Sequence, residues 1–268
     1  MRWAVPTLHV MSLDELLNLL PVYVLVLFRV AGMMVFAPLL GSGQIPRRVK
    51  MLIACVLSLA IARGVTPPVR PIDSMAMLAV GIGGEIAFGL AIGMILSFTF
   101  IAAQWAGEIA GQQLGLNISE TFDPSFGQQG SLVGNLYFML TLVIFLAING
   151  HRAMLLGVRA SFDSLPLLSA GVTPSVLNLL VGLLQSATQL ALQLAAPVLV
   201  TLLATDLALG FIGKTMPQLN VMTAGLSIRA LVGMLVLIVG IGFTSKVIRA
   251  SLLDAMWTVR NAYAAPLR

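Results

Sequence analysis

The sequence predicts an all-α, polytopic integral membrane protein with about six hydrophobic helices. Three observations carry that prediction. Hydrophobic residues make up 59% of the 268 and charged residues only 9%, with a mean hydropathy of +1.00; no soluble domain of this size hides so much apolar side chain. The apolar residues gather in Leu16–Leu40, Met51–Ala62, Met75–Ala106, Leu132–Asn149, Val176–Phe211 and Val221–Ser245, most of them long enough for a hydrocarbon core of about 30 Å. Finally, no lysine or arginine occurs between Arg70 and Arg152, a span that holds two apolar stretches and the most polar loop of the chain.

Taken in order, the first stretch follows Asp14 and Glu15 and ends without a small-residue cleavage site. It is expected to be a permanent helix rather than a signal peptide. The second is short and is expected to half-span. Between them Gly41–Lys50 reads as a loop, with Pro46 blocking helix continuation and Arg47, Arg48 and Lys50 forming a basic cluster. Pro67, Pro68 and Pro71 make Arg63–Asp73 a stiff connector. The third stretch leads into Gly107–Gly130, GEIAGQQLGLNISETFDPSFGQQG. This loop is acidic and rich in glycine and glutamine, and far longer than a turn between helices requires. Gly150–Pro174 reads as a partly amphipathic loop carrying His151, Arg152 and Arg159. The fifth stretch is expected to bend or break near Pro197. Lys214–Asn220 reads as a tight turn around Pro217, and the residues after Lys246 as a helix that leaves the membrane and lies along an interface or a partner.

The net charge of +5 does not indicate nucleic acid, because no basic stripe carries interleaved aromatics. The cations sit between apolar stretches and at the C-terminus, where membrane proteins keep them. Their distribution satisfies neither orientation of the chain, which suits packing inside a protein assembly. Gly81, Gly89 and Gly93 share a helical face at multiples of four, and Gly107, Gly111 and Gly115 repeat the pattern. Such spacing lets helix backbones approach closely, within the chain or between subunits.

Arg29, Glu85 and Asp206 fall inside apolar stretches, where ionisable groups are costly and need partners or water. One reading pairs Arg29 with Glu85 or Asp206 to lock helices together. The other makes a carboxylate a proton or ion relay. The isolation of the carboxylates favours the first, since no second acid lies a helical turn away. His9 and His151 have no metal-ligand spacing, the lone Cys55 can form no intrachain disulfide, and no phosphate-binding glycine loop occurs. An enzyme, a cofactor or a metal is therefore not expected.

Four blocks carry a family resemblance. Ala106–Pro124, AGEIAGQQLGLNISETFDP, resembles a stretch of the FliR family, the flagellar type III export-gate proteins with relatives in the virulence injectisome. Arg29–Lys50, RVAGMMVFAPLLGSGQIPRRVK, resembles the family's first-helix arginine with its Pro-Leu and Ile-Pro-basic turns. Asn149–Pro166, NGHRAMLLGVRASFDSLP, resembles its Asn-Gly-His and Ser-Phe pattern. Pro197–Gly225 resembles its Asp-Leu-Ala-Leu-Gly and Pro-Gln-Leu-Asn-Val block. The blocks occur in the family's order over nearly the whole chain. Departures occur at Arg229, which stands where relatives carry a lysine, and at Ile118 and Thr121, where some carry phenylalanine.

The resemblance implies a non-enzymatic subunit of a hetero-oligomeric gate of helical hairpins in the bacterial inner membrane, at the flagellar basal body. Its implied partners are P-, Q- and B-type membrane subunits, the basal-body ring and unfolded flagellar substrates in transit. Residues 16–150 would form one part, residues 176–246 a C-terminal hairpin, and residues 247–268 a tail. The loop 107–130 would plug the pore through Gly115, Leu116, Ile118, Phe122, Asp123, Pro124 and Phe126, because a hydrophobic constriction excludes water and ions. Arg29, Gly81, Glu85, Gly89, Gly93, Glu108 and Asp206 would serve packing and assembly. Pro46, Lys50, Lys214, Pro217, Gln218 and Asn220 would face partners. The alternatives are an injectisome subunit of the same kind and a small-molecule secondary transporter with a midplane site.

Overall fold

A computed structural model describes residues 13–38, 40–41, 45–66, 74–116, 131–168, 174–216 and 221–261. These form seven helices: α1 (Leu13–Phe36), α2 (Arg47–Ala62), α3 (Met75–Gln113), α4 (Leu132–Ala147), α5 (Gly150–Ser164), α6 (Pro174–Thr215) and α7 (Val221–Asn261). The fold is all-α and polytopic. Among the described residues α3, α6 and α7 are long and apolar enough to cross a membrane, and α4 with α5, bent by 68°, makes a fourth candidate. Helix α2, with 16 residues, is too short to span, as its apolar stretch suggested, whereas α1 runs for 24 residues.

Several loops of the sequence reading are helix. The basic cluster is the first turn of α2, since Pro46 fits a helix entry and its carbonyl accepts from the Val49 and Lys50 N–H groups. The expected loop at 107 begins seven residues later: Glu108, Ile109, Ala110 and Gln112 are good helix formers and prolong α3 to Gln113. The expected loop Gly150–Pro174 is mostly α5, whose apolar face is buried through Met154, Val158 and Phe162. Helix α6 runs through Pro197 as one continuous helix. The tail, expected as a helix, is continuous with α7 to Asn261 and is anchored by buried Ile248, Leu252 and Val259.

The packing follows from small residues. A Cβ on Gly32 would lie 2.6 Å from the Ile86 carbonyl oxygen, and one on Gly93 would lie 2.6 Å from that of Met33. These contacts advance together along both helices, so α1 and α3 run parallel. Helix α2 returns along α1, where the Tyr23 hydroxyl donates to the Cys55 carbonyl at 3.3 Å. Helix α4 packs back along α3, with Phe100 edge-on to Phe138 and Phe145 at centroid distances of 5.7 and 5.5 Å. Helix α5 lies against the C-terminal part of α7, where Gly157 meets Val259 and Gly150 meets Met256. Helices α6 and α7 form a hairpin laid on α3.

Candidate functional site

The most fully enclosed polar cluster centres on Arg29, which is 0% exposed, as is Glu85. Gly89 makes their approach possible: any Cβ there would strike the Arg29 carbonyl oxygen. Arg29 Nε donates to Glu85 Oε2 at 2.5 Å, its Nη1 to Ser161 Oγ at 3.1 Å and its Nη2 to the Leu165 carbonyl at 3.1 Å. Its guanidinium lies over the Phe162 ring, 4.1 Å from the centroid. The second oxygen of Glu85 accepts from the Leu168 N–H at 3.3 Å. Leu168 holds φ 63°, a left-handed conformation that a branched side chain seldom adopts. Its side chain covers Gly81, where a Cβ would displace it.

The fork of Arg29 therefore ties α1 to α3, to α5 and to the segment that leads from α5 toward α6. Both charges are paired and the guanidinium is hydrogen-bonded on all three nitrogens, which is what a buried ion pair needs to persist. Among the described residues no buried side-chain nitrogen or oxygen lacks a partner.

Asp206 lies elsewhere. Its Oδ1 accepts from Arg229 Nε at 2.5 Å, joining α6 to α7 with both side chains part-exposed. The alternative that pairs Asp206 with Arg29 is thus corrected: Arg29 sits with Glu85 and Asp206 with Arg229. Sequence reasoning noted Arg229 only as a replaced lysine. It gave no role to Ser161, Phe162 and Leu168, although Ser161 and Phe162 are the Ser-Phe pair of the Asn149–Pro166 block.

The entry to the polar loop is built from both sides. Helix α3 ends in a Schellman arrangement: the Gly115 N–H donates to Gln112 and the Leu116 N–H to Gly111, with Gly115 at φ 73°. On the far side, buried Ser131 caps α4 by accepting from the Gly134 N–H at 3.3 Å. Gly107 lets α4 close in, since a Cβ there would sit 2.5 Å from the Val133 carbonyl oxygen. Glu108 is half-buried at this contact and accepts from Gln104 at 3.0 Å. Leu116 is exposed, whereas Ile118, Phe122, Asp123, Pro124 and Phe126 lie outside the described residues.

Of the expected partner-facing positions, Pro46 and Lys50 stand at the start of α2. Lys214 is exposed in the last turn of α6, and Pro217, Gln218 and Asn220 lie outside the described residues.

Residues 20–255 match the profile of the family described as Bacterial export proteins, family 1. The chain belongs to the FliR family. It is 30% identical to the flagellar biosynthetic protein FliR of Escherichia coli (strain K12) over 223 residues, 82% of this chain and 84% of the relative. It is 29% identical to FliR of Bacillus subtilis (strain 168) over 256 residues, 94% and 98% of the two. It is also 28% identical to the surface presentation of antigens protein SpaR of Salmonella typhimurium over 210 residues, 78% and 79%. As a FliR-family member this chain is a non-enzymatic membrane component of the flagellar export apparatus in the inner membrane.

Proposed function

We propose that this FliR-family chain is a subunit that completes a ring of helical hairpins around the export channel, with its polar loop closing the channel at rest. The observation that carries the reading is the unequal burial of the long helices. The most apolar window of α3 is 56% buried within the chain, whereas those of α6 and α7 are 17% and 6% buried. A hairpin of this length with so much open apolar surface suits cover by neighbouring membrane subunits, the P-, Q- and B-type proteins that the resemblance implies. A groove of about 950 Å³ between α6 and α7, lined by Gln189, Gln193, Lys246, Asp254 and Trp257 among others, adds polar contacts along the same surface.

The loop after Leu116 has the chemistry of a movable plug. It carries Phe122 and Phe126 for an apolar seal, Asp123–Pro124 for a fixed turn, and no cation to hold it on anionic headgroups. The Schellman end at Gly115 and the cap at Ser131 support the reading by fixing both roots. Two measurements test it. Purified from native membranes in mild detergent, the chain is expected to bring other polytopic subunits in a fixed ratio; a stable lone species would overturn the assembly. Deleting Ser119–Gln129 is expected to raise ion leakage across the membrane, and unchanged leakage would remove the plug.

A further inference from the structure

Helix α2 begins with two exposed cations, Arg47 and Arg48, that no acidic residue of its first turn offsets. Lys50 follows half-buried. Cations at the positive end of a helix dipole oppose it. Neither Arg47 nor Arg48 belongs to the two ion pairs formed among the described residues.

Arg48 lies in line with Leu52 and Leu59 on an open apolar track, while Arg47 stands at the same depth on the side of Ala54 and Ser58. Val49, Leu52, Val56 and Leu59 recur at helical spacing, and they are 46%, 65%, 58% and 56% exposed. The opposite face, Ala54, Ser58 and Ala62, is buried. The track from Val49 to Leu59 is about 15 Å long at 1.5 Å per residue. That is half of a hydrocarbon core of about 30 Å. A cationic head above an apolar track one leaflet deep is complementary in charge and length to one class of occupant.

We propose that the exposed face of α2 binds anionic phospholipid, with Arg48 on the headgroup phosphate, Arg47 adding positive charge at the same depth, and acyl chain along Val49–Leu59. Each cation at an anionic membrane surface is worth about a fivefold change in binding, so the pair contributes roughly 25-fold. The inference does not depend on the plug or on which subunits accompany the chain.

The test uses the complex as purified from membranes, exchanged into nanodiscs of phosphatidylcholine alone or with phosphatidylglycerol. Lipid retained after detergent extraction is then measured by mass spectrometry. Wild type is expected to enrich phosphatidylglycerol over its share of the nanodisc. R47Q/R48Q is expected to weaken that enrichment roughly 25-fold, with the co-purifying subunits unchanged. R47K/R48K keeps the charge and is expected to keep most of the enrichment. R249Q, which removes an exposed cation of α7, is expected to leave it intact. Absence of enrichment in the wild type overturns the proposal without any variant. Equal enrichment in R47Q/R48Q, or loss of a partner subunit in place of lipid, overturns it as well, the latter by showing that protein covers this face.

Discussion

Arg29 converts three separate helices and one connector into a single polar knot. Truncating it leaves the Glu85 carboxylate buried and unpaired, a loss of about 3–5 kcal/mol for such sites. R29A is therefore expected to abolish accumulation of the folded chain, as read by detergent-resistant yield and thermal unfolding. The charge exchange R29E/E85R is not expected to rescue it. Glutamate at 29 cannot donate to Ser161 or to the Leu165 carbonyl, so half of the network stays unsatisfied. Exchanging Arg29 with Asp206 is expected to fail too, because Asp206 pairs with Arg229. Rescue by R29E/E85R would show that charge alone sustains the cluster, and rescue by the Arg29–Asp206 exchange would overturn the pairing of Arg29 with Glu85. D206N is expected to change chain stability by less than about 1 kcal/mol, since that pair is more than one-third exposed.

Among the helices, close approach and termination are set by single glycines with different tasks. Gly89 stands against the Arg29 backbone, whereas nothing lies within 4 Å of a Cβ at Gly83 in the same helix. G89A is expected to part α1 from α3 and lower the unfolding temperature of the purified complex. G83A is expected to raise stability by up to about 1 kcal/mol through helix propensity. Equal effects would show that the glycine face is not a contact surface. At Gly115 the requirement is backbone conformation: φ 73° strains any L side chain. G115A is expected to cost about 1 kcal/mol and to loosen the root of the polar loop, read as increased protease cleavage between α3 and α4.

At the scale of the molecule, length is informative. Helices α3, α6 and α7 have 39, 42 and 41 residues, about 58 to 63 Å at 1.5 Å per residue. That is roughly twice a hydrocarbon core of about 30 Å. Much of each helix must therefore lie outside the bilayer or be tilted within an assembly. The open faces of α6 and α7 follow the same logic: among the described residues no further helix covers them. Expressed without its partners, the chain is expected to be degraded or to aggregate, measured as loss of the full-length band on stopping synthesis. A long-lived monomer in that experiment would mean that lipid alone suffices to cover the hairpin.

The class, the family and the pairing need of the buried charges were legible in the residues, because hydropathy, motif order and an arginine in an apolar stretch are local facts. The start of α4 at Leu132 and the special status of Gly107 and Gly115 were legible for the same reason. Element ends at 47 and 113 were not. They depend on packing that rewards helix where polarity suggests loop, as α5 does. The partner of Arg29 was a choice between two carboxylates at distant positions. Only the tertiary structure decided it, by the glycine-mediated approach of α1 to α3 that brings Glu85 within hydrogen-bond distance and leaves Asp206 to Arg229.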